Sequence, residues 1–180
     1  MEVDYQFVKN IWDKINIVLL KEYQDIELNG GFLLEGATEE KICGMERELN
    51  IILPYEYRVS LKIHEGTAPY VWLWDAVSIS DIATVIDDWK THIRMASSSR
   101  NIGFRLNSNG PILNVLFDKK WIPVASDNGI PICLDMNPLL EGNKGQIIYV
   151  DWEEGTVKVI SNNFIDFLEN GLCKMDELAK

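Results

Sequence analysis

The sequence predicts an α+β fold, and three observations support this prediction. Apolar residues recur at helical spacing through the first half of the chain, whereas short β-rich runs separated by turn residues fill most of the second half. At 180 residues with 47% hydrophobic content, the chain is long enough for one domain with a real core. We therefore expect a single domain over residues 1–180, in which N-terminal, middle and C-terminal helices pack on a largely antiparallel, twisted sheet.

An amphipathic helix is predicted at the start of the chain, from Val3 to Tyr23 within an N-terminal extension of residues 1–30. Its apolar stripe consists of Val3, Phe7, Ile11, Ile15 and Val18. The run Asn29-Gly30-Gly31 then breaks the helical pattern.

Two further helices follow before residue 67. Thr38, followed by two glutamates, is a typical N-cap, and Pro54 fits the first turn of the next helix. Gly66 is in place to end that helix. The predicted buried residues are Ile42, Met45 and Leu49 in the first helix and Tyr57 and Leu61 in the second.

The stretch from Tyr70 to Trp74 is short, aromatic and β-prone, which predicts a strand. Ser78 or Ser80 is expected to cap a helix after it, and the serine run 97–99 is expected to form a mobile loop. That helix is predicted to bury Ile82, Val85, Ile86, Trp89 and Ile93.

The second half of the chain predicts strands and one closing helix. The strands are expected at 114–117, 121–126, 132–136, 146–152 and 156–160. Asp127-Asn128-Gly129 and Glu153-Glu154-Gly155 are hairpin signals, which make neighbouring strands antiparallel. Ser161 or Asn162 is expected to cap a last helix that buries Phe164, Phe167, Leu168 and Leu172.

The charge balance favours some partners over others. With 17 basic and 28 acidic residues, the formal charge of −11 repels phosphate backbones, so direct nucleic-acid binding is not expected. This charge attracts basic proteins, although acidity that only maintains solubility is an equally good explanation. Cys43, Cys133 and Cys173 are far apart and form no paired motif, which is typical of buried thiols in a reducing compartment. Together with an acidic N-terminus and no long apolar run, this predicts a cytoplasmic protein without a membrane span.

Catalytic and metal-binding motifs are not found in the sequence. His64 and His92 are 28 positions apart, and no glycine-rich phosphate loop or nucleophile motif occurs. His64 is best explained by a position at a helix end, and His92 by exposure to solvent. Asp127, Asp135 and Asp151 offer oxygen ligands, but turn and strand-end roles explain the first two. No catalytic residue, metal or cofactor is therefore predicted.

Two groups of residues are candidates for binding a partner. In a strand, Trp72 and Trp74 point to the same face, where Tyr70 and Asp75 flank them, so an uncovered face there is an aromatic recognition patch. Burial in the core is the alternative for both tryptophans. The second group is a rim of hydrogen-bond acceptors from turn residues, namely Asp127, Asn128, Asp135 and Asn137, if they lie at one end of the sheet.

Two blocks of the sequence resemble the SUKH superfamily, which includes the cell-wall-assembly regulator domains of the Smi/Knr type. The first is "ELNIILPYEYRVSLKIHEG", with a leucine-proline step and an apolar helix that ends at a glycine. The second is "GPILNVLFDKKWIPVASDNGIPICLDMNPLLEGNKGQIIYVDWEEG". Both lie within residues 38–171, where the match is strongest, and residues 81–107 vary freely in the family. The residues that carry the resemblance, as structural positions, are Pro54, Tyr57, Gly66, Trp121, Pro123, Asp135, Pro138, Gly145 and Gln146.

The resemblance implies a function without bond chemistry. Bacterial members are mostly immunity proteins, which bind a cognate toxin, often a nuclease or deaminase, and block it. Fungal relatives resemble regulatory scaffolds of cell-wall synthesis. We therefore expect a protein partner, with a basic toxin domain favoured and a regulatory scaffold as the alternative. The sequence carries no signal for a particular oligomeric state.

Overall fold

The computed structural model of the protein describes residues 4–26, 28, 30–99 and 106–178. These residues form a single-domain α+β fold with five helices and six strands, as the sequence predicts. The helices are α1 (Tyr5–Glu22), α2 (Glu39–Leu49), α3 (Tyr55–Ile63), α4 (Ile82–Ser99) and α5 (Phe164–Leu178). The strands are β1 (Val77–Ile79), β2 (Asn107–Asn109), β3 (Trp121–Asp127), β4 (Ile130–Asp135), β5 (Gln146–Asp151) and β6 (Thr156–Ser161).

The strands form one sheet in the order β1-β3-β4-β5-β6-β2. Every neighbouring pair is antiparallel except β2 and β6, which are parallel. The hairpins β3–β4 and β5–β6 lie where the two turn signals predicted them. Gly129 and Gly155 have φ angles of 88° and 65° in these turns, values that glycine adopts without the steric cost of a Cβ atom.

Each face of the sheet covers a separate hydrophobic core. The first face, with Ile122, Leu134 and Ile147, packs in the main core with buried residues of α1, α2, α3 and α5. The opposite face, with Trp121 and Cys133 among its buried residues, is covered by the later turns of α4 and the segment after β2. The protein is therefore a layered structure with helices on both sides of the sheet.

Helix α1 packs against α3 and α5 and completes the main core. The predicted stripe is confirmed at Ile11, Ile15 and Val18, which are buried. Burial of Phe7 was wrongly predicted: 45% of this residue is exposed, and the neighbouring Val8 is buried in the core instead. The predicted stripe residue Val3 and the predicted break residue Asn29 lie outside the described residues.

The cap of α2 follows the sequence, but Pro54 lies one residue before the first turn of α3 and the role of Gly66 differs from the prediction. The Thr38 hydroxyl accepts a hydrogen bond from the Lys41 N–H at 3.2 Å, and Pro54 directly precedes α3. Helix α3 ends at Ile63, so Gly66 does not end it. A Cβ atom on Gly66 would lie 2.6 Å from the Ile79 carbonyl oxygen. The glycine therefore allows the backbone to approach β1 closely.

The predicted strand at 70–74 does not form. Tyr70 and Asp75 have φ angles of 66° and 50°, which interrupt an extended backbone, and the strand begins only at Val77. Since Ser78 lies inside that strand, Asp81 caps α4 instead of Ser78 or Ser80, and its carboxylate accepts from the Thr84 N–H at 2.7 Å.

Three smaller predictions in the second half were also wrong. The serine run 97–99 continues α4 instead of forming a loop. Residues 114–117 are irregular, while the short polar strand β2, which gives no β signal, was not predicted. Asn163 caps α5, in place of Ser161 or Asn162, because its side chain accepts from the Asp166 N–H at 2.9 Å.

His92 is not solvated, contrary to its predicted position on the polar side of α4. Its ring contacts Phe117 and Trp152, with centroid distances of 5.0 Å and 4.8 Å. Burial lowers the pKa of His92 to about 4, so the imidazole is neutral at physiological pH. Among the described helices, none combines the length and apolar character needed to cross a membrane.

Candidate interaction surface

The segment 68–76 joins α3 to β1 and exposes aromatic side chains in a strained backbone. Tyr70 is 86% exposed and Trp72 is 46% exposed, while the alternating residues Val71 and Leu73 are buried and anchor the loop. A bulky residue with a φ angle of 66°, such as Tyr70, is rare because the Cβ atom clashes with the backbone. Strain of this kind persists where the surroundings fix it, and it is frequent at binding sites. We call this segment the aromatic loop.

Tyr23, just after α1, holds the aromatic loop in place. Its hydroxyl accepts from the Trp72 N–H at 3.2 Å and lies 3.4 Å from the Trp72 carbonyl oxygen, to which it donates. The Tyr23 ring also packs on Phe32, with a centroid distance of 5.3 Å. These contacts therefore fix the position of the loop relative to α1.

Trp72 and Trp74 do not share a face, because the segment is not a strand. Trp74 is buried, and its ring lies edge-on to Phe167 of α5 at a centroid distance of 5.2 Å. The same ring lies directly on Gly171, where a Cβ atom would overlap it. Trp74 is thus part of the core, as the alternative prediction from the sequence stated. Trp72 belongs to the exposed surface.

An open cleft of about 570 Å³ lies beside the aromatic loop, between α5 and the first face of the sheet. Asp75, Asp127 and Asp151 contribute carboxylates to its lining, and Lys158 and Lys174 contribute cations. The apolar part of the lining comes from Trp74, Val77, Ile132, Ile160 and Phe167, and Tyr149 also lines it. We call this feature the acidic cleft. It offers carboxylate acceptors and aromatic faces, which are groups that bind cationic side chains.

Two lysines of the chain itself contact the aromatic and carboxylate groups of the acidic cleft. The Lys158 ammonium lies 5.1 Å from the centroid of the Tyr149 ring, and the Lys174 ammonium lies 3.7 Å from the Asp75 carboxylate. Burial, followed by the nearby carboxylates of Asp127 and Asp151, raises the pKa of the Tyr149 phenol. The phenol therefore stays protonated and able to donate a hydrogen bond at neutral pH.

The β3–β4 turn joins the acidic cleft to the aromatic loop. The Asn128 N–H donates to the Ala76 carbonyl at 3.2 Å, and the φ angle of Asn128 is 48°. Asp127 lines the cleft on the same turn. Of the predicted partner-binding residues, Tyr70, Trp72, Trp74, Asp75, Asp127 and Asn128 thus lie on the loop, turn and cleft just described.

Asp135 and Asn137 lie elsewhere, so the four turn residues do not form one rim. In the β3–β4 register, Asp135 pairs with Trp121 at the end of the hairpin opposite Asp127. The Asp135 side chain is fully buried and accepts from the Asn137 N–H at 2.9 Å and the Gln146 amide at 3.0 Å. Burial raises its pKa, and these two donors oppose that rise. Asp135 therefore fixes the position of the connection between β4 and β5.

The other residues that carry the resemblance cluster around this opposite end or in the main core. Trp121 is buried, and Pro123 lies at a bulge in β3, where a missing N–H is tolerated. Gly145, with a φ angle of 89°, packs on Pro54. Tyr57 is buried against Phe164 with a centroid distance of 4.8 Å. Pro138 and the Gln146 side chain lie close to Gly142 in the connection between β4 and β5. These positions shape the fold.

Sequence reasoning missed several residues of the acidic cleft. Tyr149, Lys158, Phe167 and Lys174 come from β5, β6 and α5, and no local motif marks them. Alternation along the predicted strand β5 was the available signal for Tyr149, since alternate residues share a face. The packing of α5 against that face depends on tertiary contacts, which the strand pattern does not contain.

The two histidines and the two described aspartates with raised pKa values lie outside the acidic cleft. His64 binds the Leu34 carbonyl through Nδ1 at 2.8 Å, and His92 of α4 packs against Trp152, so neither lines the cleft. Asp88 and Asp135, whose pKa values burial raises, also lie outside it. Within the described ranges, no group of three or more His, Cys, Asp and Glu side chains is arranged to hold a metal ion.

Comparison with known proteins gives two matches. Residues 36–170 match the sequence model of the SMI1 / KNR4 family (SUKH-1). The chain is also similar to "Cell wall biosynthesis/cell cycle regulator smi1" of Schizosaccharomyces pombe, with 27% identity over 196 residues. This alignment covers 94% of the chain but 38% of the yeast protein, so the chain spans less than half the length of this relative.

Proposed function

The chain belongs to the SMI1 / KNR4 family (SUKH-1), and from this premise we propose that it is a non-enzymatic protein-binding domain for a basic partner. One observation carries the proposal. The strained aromatic loop and the acidic cleft are joined by the hydrogen bond from Asn128 to Ala76 and so form one continuous surface. We call it the interaction surface.

The interaction surface has the parts of a binding hot spot. Tyr70 and Trp72 provide large aromatic side chains that are already exposed, and tryptophan and tyrosine are the residues most enriched at hot spots. The carboxylates of Asp75, Asp127 and Asp151 complement lysine and arginine side chains of a partner. The formal charge of −11 adds a long-range attraction that speeds the encounter with a basic protein.

The favoured form of this function is immunity. In it, the chain is a cytoplasmic protein that covers the basic, substrate-binding cleft of a nuclease- or deaminase-type toxin, so that nucleic acid no longer enters. No bond is made or broken by the chain itself. A stable complex of this kind buries on the order of 1,600 Å² of total surface, more than the cleft alone supplies, so the aromatic loop is needed as well.

A second form, a regulatory scaffold, is favoured by the yeast relative. That protein is named as a regulator of cell wall biosynthesis and the cell cycle, and its similarity extends over 94% of this chain. In this form, the same surface recruits a basic cellular protein without blocking its activity.

Neutralising the acidic cleft tests the shared proposal. The double variant Asp75→Asn/Asp127→Asn removes two carboxylates from the cleft, whereas Glu35→Gln/Glu40→Gln removes two exposed ones elsewhere and serves as the matched control. Binding is measured by surface plasmon resonance against a basic protein chosen from the products of the neighbouring genes. We expect the cleft variant to bind at least roughly tenfold more weakly and the control to bind like the wild type. Equal loss in both variants would show that only net charge matters and would refute a role for the cleft.

Inhibition separates the two forms of the function. An immunity protein abolishes the partner's nuclease or deaminase activity at a one-to-one ratio and restores growth on co-expression. A scaffold binds the partner and leaves its activity unchanged. A wild-type chain that binds no neighbouring or cellular basic protein would overturn the proposal in both forms.

A further inference from the structure

Strand β6 has a free edge beyond its pairing with β2. The parallel register joins Thr156, Val157 and Lys158 of β6 to β2, and the last pair is Lys158 with Asn109. Strand β6 continues for three more residues, Val159–Ser161, of which Val159 and Ser161 pair with β5 on their other side and Ile160 lies at a shift in the register. Among the described residues, no strand pairs with this stretch on its outer side. The backbone N–H and C=O groups on that side of the described stretch therefore lack a strand partner, as those of an edge strand do.

A groove of about 480 Å³ runs between this edge and α5. Its walls carry hydrogen-bonding side chains of Ser161, Asn162 and Asn170, together with the carboxylates of Asp166 and Glu169. No basic side chain lines it within the described residues. The groove therefore combines the outer backbone groups of β6 with the negative charge of two carboxylates.

The groove is continuous with the acidic cleft. Ile160 and Asn170 line both, so one passes into the other around the side of α5. A chain that lies along the β6 edge thus leads into the cleft where Asp75, Asp127 and Asp151 lie.

We propose that an extended, basic segment of the partner protein adds to the sheet along Val159–Ser161 and continues toward the acidic cleft. This inference rests on the proposed function and specifies how the partner is held. An added strand lies about 4.8 Å from β6 and gains backbone hydrogen bonds that do not depend on its sequence. Its alternate side chains face α5, where Asp166 and Glu169 select lysine or arginine.

A defined peptide probes the edge directly. The probe is an acetylated and amidated hexapeptide of alternating lysine and valine, and a second copy carries one central N-methyl group that removes a backbone N–H. Binding to the uniformly ¹⁵N-labelled chain is followed by NMR. We expect amide shifts at Val159–Ser161 with half-saturation at about 1 mM or below, and roughly tenfold weaker binding of the N-methylated peptide.

Variants of α5 test the charge selection without altering the edge. Glu169→Gln is compared with Glu177→Gln, a change of the same kind on the same helix outside the groove. We expect roughly two- to fivefold weaker peptide binding for the first and unchanged binding for the second. Equal affinities for the methylated and unmethylated peptides, or no shift at Val159–Ser161 at saturating peptide, would overturn strand addition.

The outcomes also separate this inference from the proposed function. Shifts confined to Trp74 and Tyr149, with full partner binding by Glu169→Gln, refute strand addition and leave the acidic cleft as the binding site. Loss of partner binding on Asp75→Asn/Asp127→Asn, with no effect of Glu169→Gln, likewise refutes strand addition and retains the cleft. If the wild-type chain binds neither the peptide nor a basic protein, both proposals fail.

Discussion

At Gly171, the absence of a side chain determines the position of the Trp74 ring. The Trp74 ring occupies the space that a Cβ atom on Gly171 would need, so the indole packs directly on the backbone of α5. Glycine inside a helix costs about 1 kcal/mol relative to alanine, which makes this a position where packing overrides helix propensity.

Two helical glycines therefore respond in opposite ways to alanine. Gly171→Ala forces Trp74 or α5 to move and is expected to lower the free energy of unfolding by roughly 1 to 3 kcal/mol. In α2, a Cβ atom on Gly44 meets nothing closer than an Arg47 side-chain nitrogen at 4.0 Å, so Gly44→Ala is expected to stabilise by about 0.5 to 1 kcal/mol. Urea denaturation measures both, and destabilisation of similar size in both variants would contradict this explanation.

His92 makes the stability of the protein depend on pH. Because burial lowers its pKa from 6.5 to about 4, the unfolded chain takes up a proton before the folded chain does. Stability is therefore lost as the pH falls from about 6.5 to about 4 and is unaffected by this group at higher pH.

His92→Phe removes this dependence while keeping an aromatic ring between Phe117 and Trp152. Between pH 7 and pH 5, the wild type is expected to lose about 1 kcal/mol more than the variant, after allowance for solvent screening at a half-buried ring. Chemical denaturation at the two pH values gives the difference. Parallel losses in the two proteins would show that the ring titrates alike when folded and unfolded.

At the level of elements, we expect the strain of the aromatic loop to serve binding, and this role can be separated from folding. Tyr70→Gly relieves the φ angle of 66° and removes an exposed ring. We expect its unfolding free energy to stay within about 1 kcal/mol of the wild type, since relief of strain and the greater freedom of the unfolded chain oppose each other. Partner binding is expected to weaken at least roughly tenfold.

Asn50→Gly is the matched control for Tyr70→Gly. Asn50 also has a positive φ angle, 52°, but it ends α2 and lies outside the interaction surface. Its replacement is expected to change neither stability by more than about 0.5 kcal/mol nor partner affinity. Isothermal calorimetry against the partner and urea denaturation compare the two variants, and full binding by Tyr70→Gly would remove the aromatic loop from the interface.

Elements with local signals were predicted, and elements that depend on tertiary contacts were not. Both hairpins followed from turn residues that need positive φ angles, and the Thr38 cap followed from a side chain that bonds its own helix. The segment 70–74 has the composition of a strand, but Tyr23 and α5 hold it as a loop. Strand β2 forms because β6 supplies its partner. Its Asn-Ser-Asn sequence has low β-propensity and does not predict a strand.

The candidate site was predicted in part for the same reason. Trp72, Asp75 and Asp127 stood out by residue type and turn position, and they lie on the interaction surface. The β3–β4 register was needed to show that Asp135 lies at the other end of the hairpin. The contribution of α5 to the acidic cleft required the packing of the whole protein.

For the whole molecule, the excess of negative charge predicts a salt-dependent encounter. We expect the association rate constant with a basic partner to fall at least roughly tenfold between about 0.05 M and 0.5 M salt, while the dissociation rate changes less. Stopped-flow measurements give both rates. An association rate that does not depend on salt would mean that the acidity serves solubility alone.

The two ends of the β3–β4 hairpin differ in how strongly their surroundings constrain them. The end with Trp121, Asp135 and Gln146 is locked by burial and hydrogen bonds, whereas the end with Asp127 and Asn128 meets solvent and the aromatic loop. Because the packing of the buried end depends little on the residues at the exposed end, the exposed residues can change during evolution, and the binding partner with them, while the fold is retained. Exchanging residues 70–76 and 127–129 between two such proteins should then transfer the part of recognition that depends on the aromatic loop and the β3–β4 turn.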